Sequence, residues 1–563
     1  MPNLLASRWG RLTAFFFLYV TEGIPLGFAS VAIATQLRRQ DVGPAEIGAF
    51  VGSFYLPWAF KWAFGPIIDV FFSEKLGRRR GWIIGTQVML VLTLLACTGL
   101  NLPAQLGLLT SVLLIHNTFG AMQDVAIDAL AVNTLAEDER GLANGVMFGG
   151  ASIGTAIGGG GVLYLMPYIG VKGGFVFVAA CIALVTIFIA LPLKEKPTPE
   201  SERREAGLAS AGRAIVKFAD ETFRSFHGSR GAFAGVFFAL LPAGAMSLGL
   251  ALQSNVAVEI GMKDNEVASL SVASQVVAAV CMVVGGLLSD KLGRRRMLGL
   301  YLVLMSPPAL YLAWKLQMHG WVMPNPAEGK PGHREISVVL ISAMWVASLA
   351  YAVGQGLMYG TRTAAFMDVT NPRVAATQFT AYMAMMNLAI SYSSTWQGIA
   401  SEVFGYPMTL VIDAITGPLC VLLLPFMAPS KDARVSDDRA AGRARLLALV
   451  LGFGCICWVA YSLGAFGAGP ARPMWETLFT LVSIASAVYL LAGAATRRAE
   501  GGALRVAGLS MAGLLALSYL MRKWQPQLGE VYAAIGLAAA VVLLLTARLS
   551  WQQLRPQAAP ATV

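Results

Sequence analysis

Four ionisable side chains lie inside segments that are otherwise apolar. They are Glu22, Lys61, Asp124 and Asp128. A charge at the centre of a bilayer costs about 2.5–3.5 kcal/mol on insertion scales, so an intramembrane charge is usually functional, paired or both. Three acids face one lysine here, which leaves at least one acid without a permanent partner. An acid buried in a low dielectric can bind and release a proton.

Residue counts along the apolar segments predict that these side chains meet. Glu22 lies eleven residues beyond Arg11, on a segment predicted to run outward. Lys61 and Asp124 lie eight and ten residues before the inner ends of segments that run inward. At 1.5 Å per residue, the three depths are roughly 17, 12 and 15 Å from the inner edge. Asp128 lies one turn deeper, and we assign proton coupling to all four residues.

A polar stripe accompanies two of these acids. Asn117, Asp124 and Asp128 fall within roughly 20° of one line on a helix, which predicts that this face lines a cavity. His116 lies beside the stripe, and we assign it no role. Two interpretations of Lys61 remain. It fastens helices through a buried ion pair, or it releases a carboxylate that carries a proton; we favour the second because an acid is left over.

Other polar and aromatic residues inside the apolar segments are candidates for binding a substrate by hydrogen bonds and stacking. For any one of them, a contact between helices is the alternative. The predicted substrate-binding residues are Tyr19, Asn117, Gln123, Gln253, Asn255, Gln275, Gln355, Asn387, Tyr392 and Trp396.

The sequence offers little for covalent or metal chemistry. Its four histidines are scattered, and no phosphate-binding loop of the G-x-x-x-x-G-K-[ST] type occurs. We predict no catalytic residue, no metal site and no cofactor, and therefore no enzyme. The rival classes are an integral-membrane acyltransferase, which product formation without vectorial uptake would reveal, and a receptor built on a transporter scaffold. The six cysteines all lie in apolar segments, so we expect no disulfides.

Composition places these residues in a membrane. The chain of 563 residues is 56% hydrophobic and 13% charged, whereas soluble domains carry about 25% charged residues. The net charge of +11 comes from basic residues in short loops, which indicates membrane topology rather than a nucleic-acid partner.

Apolar runs long enough to span a bilayer recur along the whole chain. Their order predicts an all-α membrane protein with two six-helix bundles and about four additional helices. The predicted domains are 1–193 (first bundle), 194–230 (cytoplasmic linker, solvated or partly an interfacial helix), 231–428 (second bundle), 429–444 (linker), 445–550 (additional helices) and 551–563 (cytoplasmic tail). The predicted spans of the bundles are 11–35, 45–69, 82–102, 108–134, 142–167, 171–193, 231–257, 266–288, 296–316, 336–366, 374–400 and 407–428.

Basic residues predict the orientation. If both termini are cytoplasmic, ten of the 42 lysines and arginines lie outside, Lys61 lies within a span, and the remaining 31 lie inside. Cytoplasmic loops carry such an excess, so we predict this topology.

A repeated loop motif follows the second span of each half. Gly65-Pro-Ile-Ile-Asp69 and Gly286-Leu-Leu-Ser-Asp290 are each followed by Lys-Leu-Gly-Arg-Arg-Arg, after five extra residues in the first half. A motif displaced in this way is typical of a duplicated transporter. An aspartate there can accept hydrogen bonds from a neighbouring helix N-terminus and pair with arginine. The predicted gating residues are Asp69, Arg78, Asp290, Gly293 and Arg294.

This motif resembles the loop signature of the major facilitator superfamily, over about residues 10–428. Further motifs resemble the AmpG-type permeases, a group that shares them with acetyl-coenzyme A transporters and some siderophore importers. These motifs are Tyr19-x-x-Glu22-Gly23-x-Pro25-x-Gly27, Pro57-x-x-Phe60-Lys61-x-x-x-x-Pro66-x-x-Asp69, Gln123-Asp124-x-Ala126-x-Asp128-Ala129 and Ala376-Thr377-Gln378-Phe379.

The resemblance implies a proton symporter that imports anhydro-muropeptides for peptidoglycan recycling by alternating access. It implies a monomer in the bacterial inner membrane, with a sugar–peptide substrate, protons and the lipid bilayer as partners. The alternative is an importer of siderophores or other small conjugates with the same fold.

Overall fold

The computed structural model describes residues 3–427, apart from 72, 74, 136–139, 196–211, 213–225, 227–229, 327–328 and 371–374. In this part the chain is helical and contains no strand beyond one isolated bridge. The helices are α1 (Arg8–Arg39), α2 (44–70), α3 (Arg80–Cys97), α4 (Leu106–Thr134), α5 (140–169), α6 (171–190), α7 (230–259), α8 (Asp264–Leu292), α9 (Arg294–Met318), α10 (Val338–Val369), α11 (Ala375–Val403) and α12 (Tyr406–Phe426).

The lengths and compositions of these helices suit a bilayer. Seven helical stretches of the described chain are long and apolar enough to cross one, which requires roughly 20 residues. One of these stretches contains both α5 and α6. Gly170 separates the two helices with a non-helical φ of +66° and ψ of 176°. The predicted all-α membrane fold is confirmed. The predicted additional helices at 445–550 lie outside the described residues, as do the linker 429–444, the tail 551–563 and most of 194–230.

Helix α7 differs from the single span that we predicted over 231–257. It runs as Arg230–Leu240, then a non-helical stretch, a 3₁₀ turn at Ser247–Gly249 and a second helix, Ala251–Glu259. Pro242 supplies no backbone N–H, and Gly244 adopts φ +80°, a conformation that glycine tolerates best. The residues of this interruption, 241–250, are called the α7 break below.

Glycines set the distance between α1 and α5. A Cβ atom at Gly154 would overlap the carbonyl of Val20, and one at Gly23 would overlap the carbonyl of Ala151. Small residues therefore let the two backbones touch. This close packing holds α1, which carries Tyr19 and Glu22, firmly inside its bundle.

The two copies of the loop motif share a backbone feature. Gly77 and Gly293, at corresponding positions, have φ +93° and +98°. Both copies therefore place a glycine at positive φ shortly before the next helix begins, a conformation that glycine tolerates best. The side chains of Asp69 and Asp290 lie outside the described part of the structure.

Contacts divide the chain into two compact units. Every site described below lies within one of them, formed by Met1–Ala211, Phe238–Phe366 and Tyr382–Leu424. In the other unit, the guanidinium of Arg230 lies over the ring of Phe426, 4.6 Å from its centroid.

Candidate functional site

A buried ion pair forms the centre of the site. The Lys61 ammonium lies 3.0 Å from the Oδ2 atom of Asp124, and the two side chains are 12% and 6% exposed. A 3₁₀ segment of α2, Pro57–Ala63, carries the lysine, and α4 carries the aspartate. Removal of either partner would leave the other charge buried and unpaired, which is strongly unfavourable.

The second aspartate of α4 is bound by a tyrosine. The hydroxyl group of Tyr19 in α1 donates a hydrogen bond to the Oδ1 atom of Asp128, at 2.6 Å. Asp124 and Asp128 are four residues apart and therefore share one face of α4. The structure thus places two carboxylates on that face, one bound to a cation and one to a neutral hydroxyl.

The third carboxylate completes the cluster. Glu22 interacts electrostatically with Asp124, Asp128 and Lys61. Its Oε1 atom is buried without a hydrogen-bond partner in the part of the chain that the structure describes. The structure therefore brings together all four residues to which the sequence assigns proton coupling.

The charge balance in this acidic cluster (Glu22, Lys61, Asp124 and Asp128) determines its chemistry. One ammonium neutralises one carboxylate, and neighbouring carboxylates repel one another when both are ionised. A proton on Glu22 or Asp128 relieves this repulsion. The arrangement can therefore hold a proton and can change its protonation when the pair of Lys61 and Asp124 opens.

Other predicted residues lie around the cluster. Asn117 is buried on the same helix, and within the described chain its Nδ2 atom has no partner. His116 accepts or donates a hydrogen bond at Nδ1, 2.8 Å from the Thr93 hydroxyl. Gln123 is fully buried and donates to the Thr21 hydroxyl at 2.9 Å. Gln123 therefore contributes to a contact between α1 and α4.

The predicted residues of the second half surround the α7 break or lie on α7, α8 and α11. Tyr392 donates from its hydroxyl to the Leu240 carbonyl at 2.6 Å, and the Gln355 amide packs against Gly249. Asn255 is fully buried, and neither atom of its amide has a partner among the described residues. The half-buried members of the predicted set are Gln253, Gln275, Gln355, Asn387, Tyr392 and Trp396.

Asp413 is a buried acid that the sequence analysis missed. Its Oδ2 atom accepts hydrogen bonds from the backbone N–H groups of Met246 and Ser247, at 2.7 and 2.9 Å. Its Oδ1 atom accepts one from the Gln397 side chain at 3.0 Å. The sequence could have revealed it, because Asp413 is an acid inside the apolar run 407–428 and an acid within a span is usually functional or paired.

A buried ion pair between the two halves was also missed. The Arg38 Nε atom lies 2.7 Å from Glu259 Oε1, and the side chains are 7% and 2% exposed. The backbone N–H of Asn325 donates to Glu259 Oε2 at 2.8 Å, and the Tyr406 hydroxyl donates to Oε1. Arg38 and Glu259 lie at span ends, where single charges are common in sequence, so nothing singled out this pair.

At the opposite end of α1, a glutamate caps helix α3. The backbone N–H of Arg79 donates to Glu195 Oε1 at 3.0 Å, and that of Arg80 donates to the same atom. The Arg80 side chain in turn donates to the carbonyl of Leu191 at the end of α6. Glu195 therefore caps the start of α3, beside the first copy of the loop motif. The predicted gating residues Arg78, Gly293 and Arg294 lie in or beside the two motif turns.

Within the described residues, no group of three or more candidate ligands could hold a metal ion.

Comparisons with known proteins agree with this architecture. The Major Facilitator Superfamily profile matches residues 12–250 and 232–555. The chain is similar to solved transporters of that fold, at sequence identities that bear on the fold alone. It matches the inward-open xylose transporter XylE from E. coli with a TM-score of 0.51 and 14% identity, covering 76% of this chain and 98% of XylE. It matches a POT family transporter with a TM-score of 0.54 and 11% identity, covering 74% and 96%.

Three relatives in sequence show which group of transporters the chain resembles. An uncharacterized protein of Haemophilus influenzae is 25% identical over 77% of this chain and 98% of its own length. A putative transporter AmpG 4 of Rickettsia felis is 23% identical over 74% and 96%. The anhydromuropeptide permease of Escherichia coli K12 is 28% identical over 33% of this chain and 38% of the permease. These relatives confirm the AmpG-type resemblance, and the chain belongs to the Major Facilitator Superfamily, as a multi-pass membrane transporter and not an enzyme.

Proposed function

We propose that this protein is a proton-coupled importer of anhydro-muropeptides in a bacterial inner membrane, with both termini cytoplasmic. The observation that carries the proposal is the acidic cluster, in which three buried carboxylates share one lysine. A neutral or fully paired core would suffice for packing. A surplus of buried acid is typical of proton relays in transporters.

Coupling follows from the partners within the cluster. Lys61 neutralises Asp124 while the pair is closed, and Tyr19 holds Asp128 with a neutral donor. When the pair opens, Asp124 loses its counterion and can bind a proton, and Lys61 is then free to move. Substrate binding and protonation would then favour the same rearrangement, which is the requirement for symport.

Contacts between the halves support alternating access. At the end of the molecule that carries Arg38, called the Arg38 end below, α1 binds α7 through the buried pair with Glu259. There α2 also packs on α11, where Ser394 donates to the carbonyl of Gly48 at 3.1 Å. The distribution of basic residues assigns this end to the outside. A closed outside suits a state that is ready to release its substrate into the cytoplasm.

The chemistry of the two halves supports a sugar–peptide substrate. The first half supplies charged groups for charged peptide termini, and the second supplies amides, hydroxyls and an indole for a sugar. The relative from E. coli is named an anhydromuropeptide permease. A ferric siderophore also presents polar and aromatic surface, so it is the competing substrate in the test.

The deciding experiment measures uptake of labelled disaccharide anhydro-muropeptide by cells that lack their own permease, with and without this gene. We expect uptake only with the gene, and loss of accumulation when an uncoupler is added. Equal uptake in the two strains, together with rescued growth on a ferric siderophore, would replace this proposal with the siderophore alternative. Accumulation that is insensitive to the uncoupler would refute the coupling.

A further inference from the structure

Side chains from two other helices hold the α7 break at both ends. Tyr392 of α11 binds the carbonyl of Leu240, where the first half of α7 stops. Asp413 of α12 binds the N–H groups of Met246 and Ser247, where the chain turns into the second half. Three backbone groups that a continuous helix would satisfy internally are thus satisfied by side chains of other helices.

The choice of an aspartate for this purpose is costly. Asp413 is fully buried in an apolar helix, and a buried acid is tolerated only when it is well bonded. A continuous α7 would satisfy its backbone groups internally and would need no buried acid. The combination therefore points to a use for the side chains that the break positions.

Three buried polar atoms, one on α11 and two on the second half of α7, have no hydrogen-bond partner among the described residues. They are Gln397 Oε1 and both amide atoms of Asn255. Native proteins leave few such atoms unpaired, so a concentration of them calls for an explanation. All of them are neutral donors or acceptors, which suits a ligand that carries hydroxyl and amide groups.

The position of the break fits a role in binding. Gly249 packs against the Tyr351 hydroxyl and the Gln355 amide of α10. On the other side, Met246 and Leu250 pack with Ile390 of α11 and with Tyr55 of α2. The break therefore lies where the first half of the transporter contacts the second.

We infer that Asp413 is a positioning residue, which fixes the α7 break so that Asn255 and Gln397 can bind hydroxyl and amide groups in the sugar part of the substrate. The inference rests on the proposed muropeptide function. Asp413 itself is assigned no contact with the substrate, because its oxygens accept from the N–H groups of Met246 and Ser247 and from the Gln397 amide. Its effect on transport would pass through the backbone of residues 246–247 and through Gln397.

The test compares Asp413→Ala, Asp413→Asn and the control Ser306→Ala in the full-length protein. The asparagine keeps an oxygen for the two N–H groups, and Gln397 can turn its amide to offer an acceptor to the new NH₂ group. Ser306 donates to the carbonyl of Ala414 at 2.7 Å, so its loss removes a buried bond to the neighbouring residue and leaves the break intact. Uptake is normalised to folded protein, measured by gel filtration of a fluorescent fusion.

Two readouts separate positioning from general stability. For Asp413→Ala, hydrogen exchange at the amides of 246 and 247 should accelerate at least about 10-fold, because these groups lose their acceptor. Its KM for labelled anhydro-muropeptide should rise about 10- to 100-fold, or about 1.4 kcal/mol for each factor of ten, with kcat changed far less. Ser306→Ala should keep KM within about 3-fold of the wild-type value. Asp413→Asn should keep the slow exchange at 246 and 247, because its oxygen still accepts from both N–H groups.

Each contrary result has a distinct meaning. Unchanged exchange at 246–247 in Asp413→Ala would overturn the holding role, and this measurement needs no substrate. Faster exchange with an unchanged KM would overturn the positioning role. If the wild-type protein does not take up muropeptide, the proposed function fails; the KM comparison is then repeated with a ferric siderophore, and an unchanged KM there also overturns the inference.

Discussion

Glu259→Gln should open the Arg38 end of the transporter. The substitution keeps the shape of the side chain and removes its charge, so the Arg38 guanidinium stays buried without a counterion. Loss of one partner from a buried pair costs about 3–5 kcal/mol. Arg38 keeps hydrogen bonds to the carbonyls of Val42 and Asn325, at 3.0 and 3.3 Å. We therefore expect the lower part of that range, about 3 kcal/mol.

This cost destabilises only the state in which the Arg38 end is closed. When the Arg38 end opens, water reaches the guanidinium and the penalty disappears. The equilibrium should therefore move toward the open form by roughly 100-fold or more, since about 1.4 kcal/mol corresponds to a factor of ten. A nearby pair supplies a matched control. Arg39 and Asp264 lie 3.0 Å apart but are 31% and 27% exposed, so Asp264→Asn should cost less than about 1 kcal/mol.

The assay is a distance measurement by electron–electron resonance between spin labels at two exposed positions, 172 in the first half and 330 in the second, in a background without native cysteines. Glu259→Gln should produce a population with a longer distance, and Asp264→Asn should leave the distribution close to that of the wild type. The exchanged pair Arg38→Glu with Glu259→Arg should restore the shorter distance. Identical distributions for Glu259→Gln and Asp264→Asn would refute the assignment of Arg38 and Glu259 as a gate.

Three further predictions concern the first half. Asp124→Asn should abolish accumulation driven by a proton gradient but retain exchange of internal for external substrate, because exchange needs no net proton release; loss of both activities in folded protein would contradict this. Lys61→Ala should reduce uptake severely, and adding Asp124→Asn should recover folded protein, measured by gel filtration, because it removes the stranded charge. Gly154→Ala should lower the melting temperature, since the new methyl group overlaps the Val20 carbonyl. Gly149→Ala, on the same helix with nothing within 4 Å of the new Cβ, should leave it unchanged or raise it, consistent with a gain of up to about 1 kcal/mol in helix propensity.

The elements of the fold could be predicted because the bilayer constrains them simply. A span must be long and apolar, so hydropathy located α4 within two residues at each end, and Gly170 separates α5 from α6 inside the predicted gap. The acidic cluster was predictable for a related reason. A charge within a span stands out, and the rise of 1.5 Å per residue gives its depth. Counting residues therefore placed Glu22, Lys61 and Asp124 at similar heights, and the structure brings them into one cluster.

The α7 break could not be predicted in the same way, because its causes are distant in sequence. Pro242 and Gly244 permit a break, but a run that remains apolar on both sides still suggests one helix. The hydrogen bonds that stabilise the break come from Asp413, 167 and 166 residues from Met246 and Ser247. The same holds for Arg38 and Glu259, which are 221 residues apart. Local patterns specify where helices run and which charges lie inside the membrane. Pairing across the bundle decides which of those charges anchor the backbone or join the two halves, and which remain as the proposed carriers of a proton.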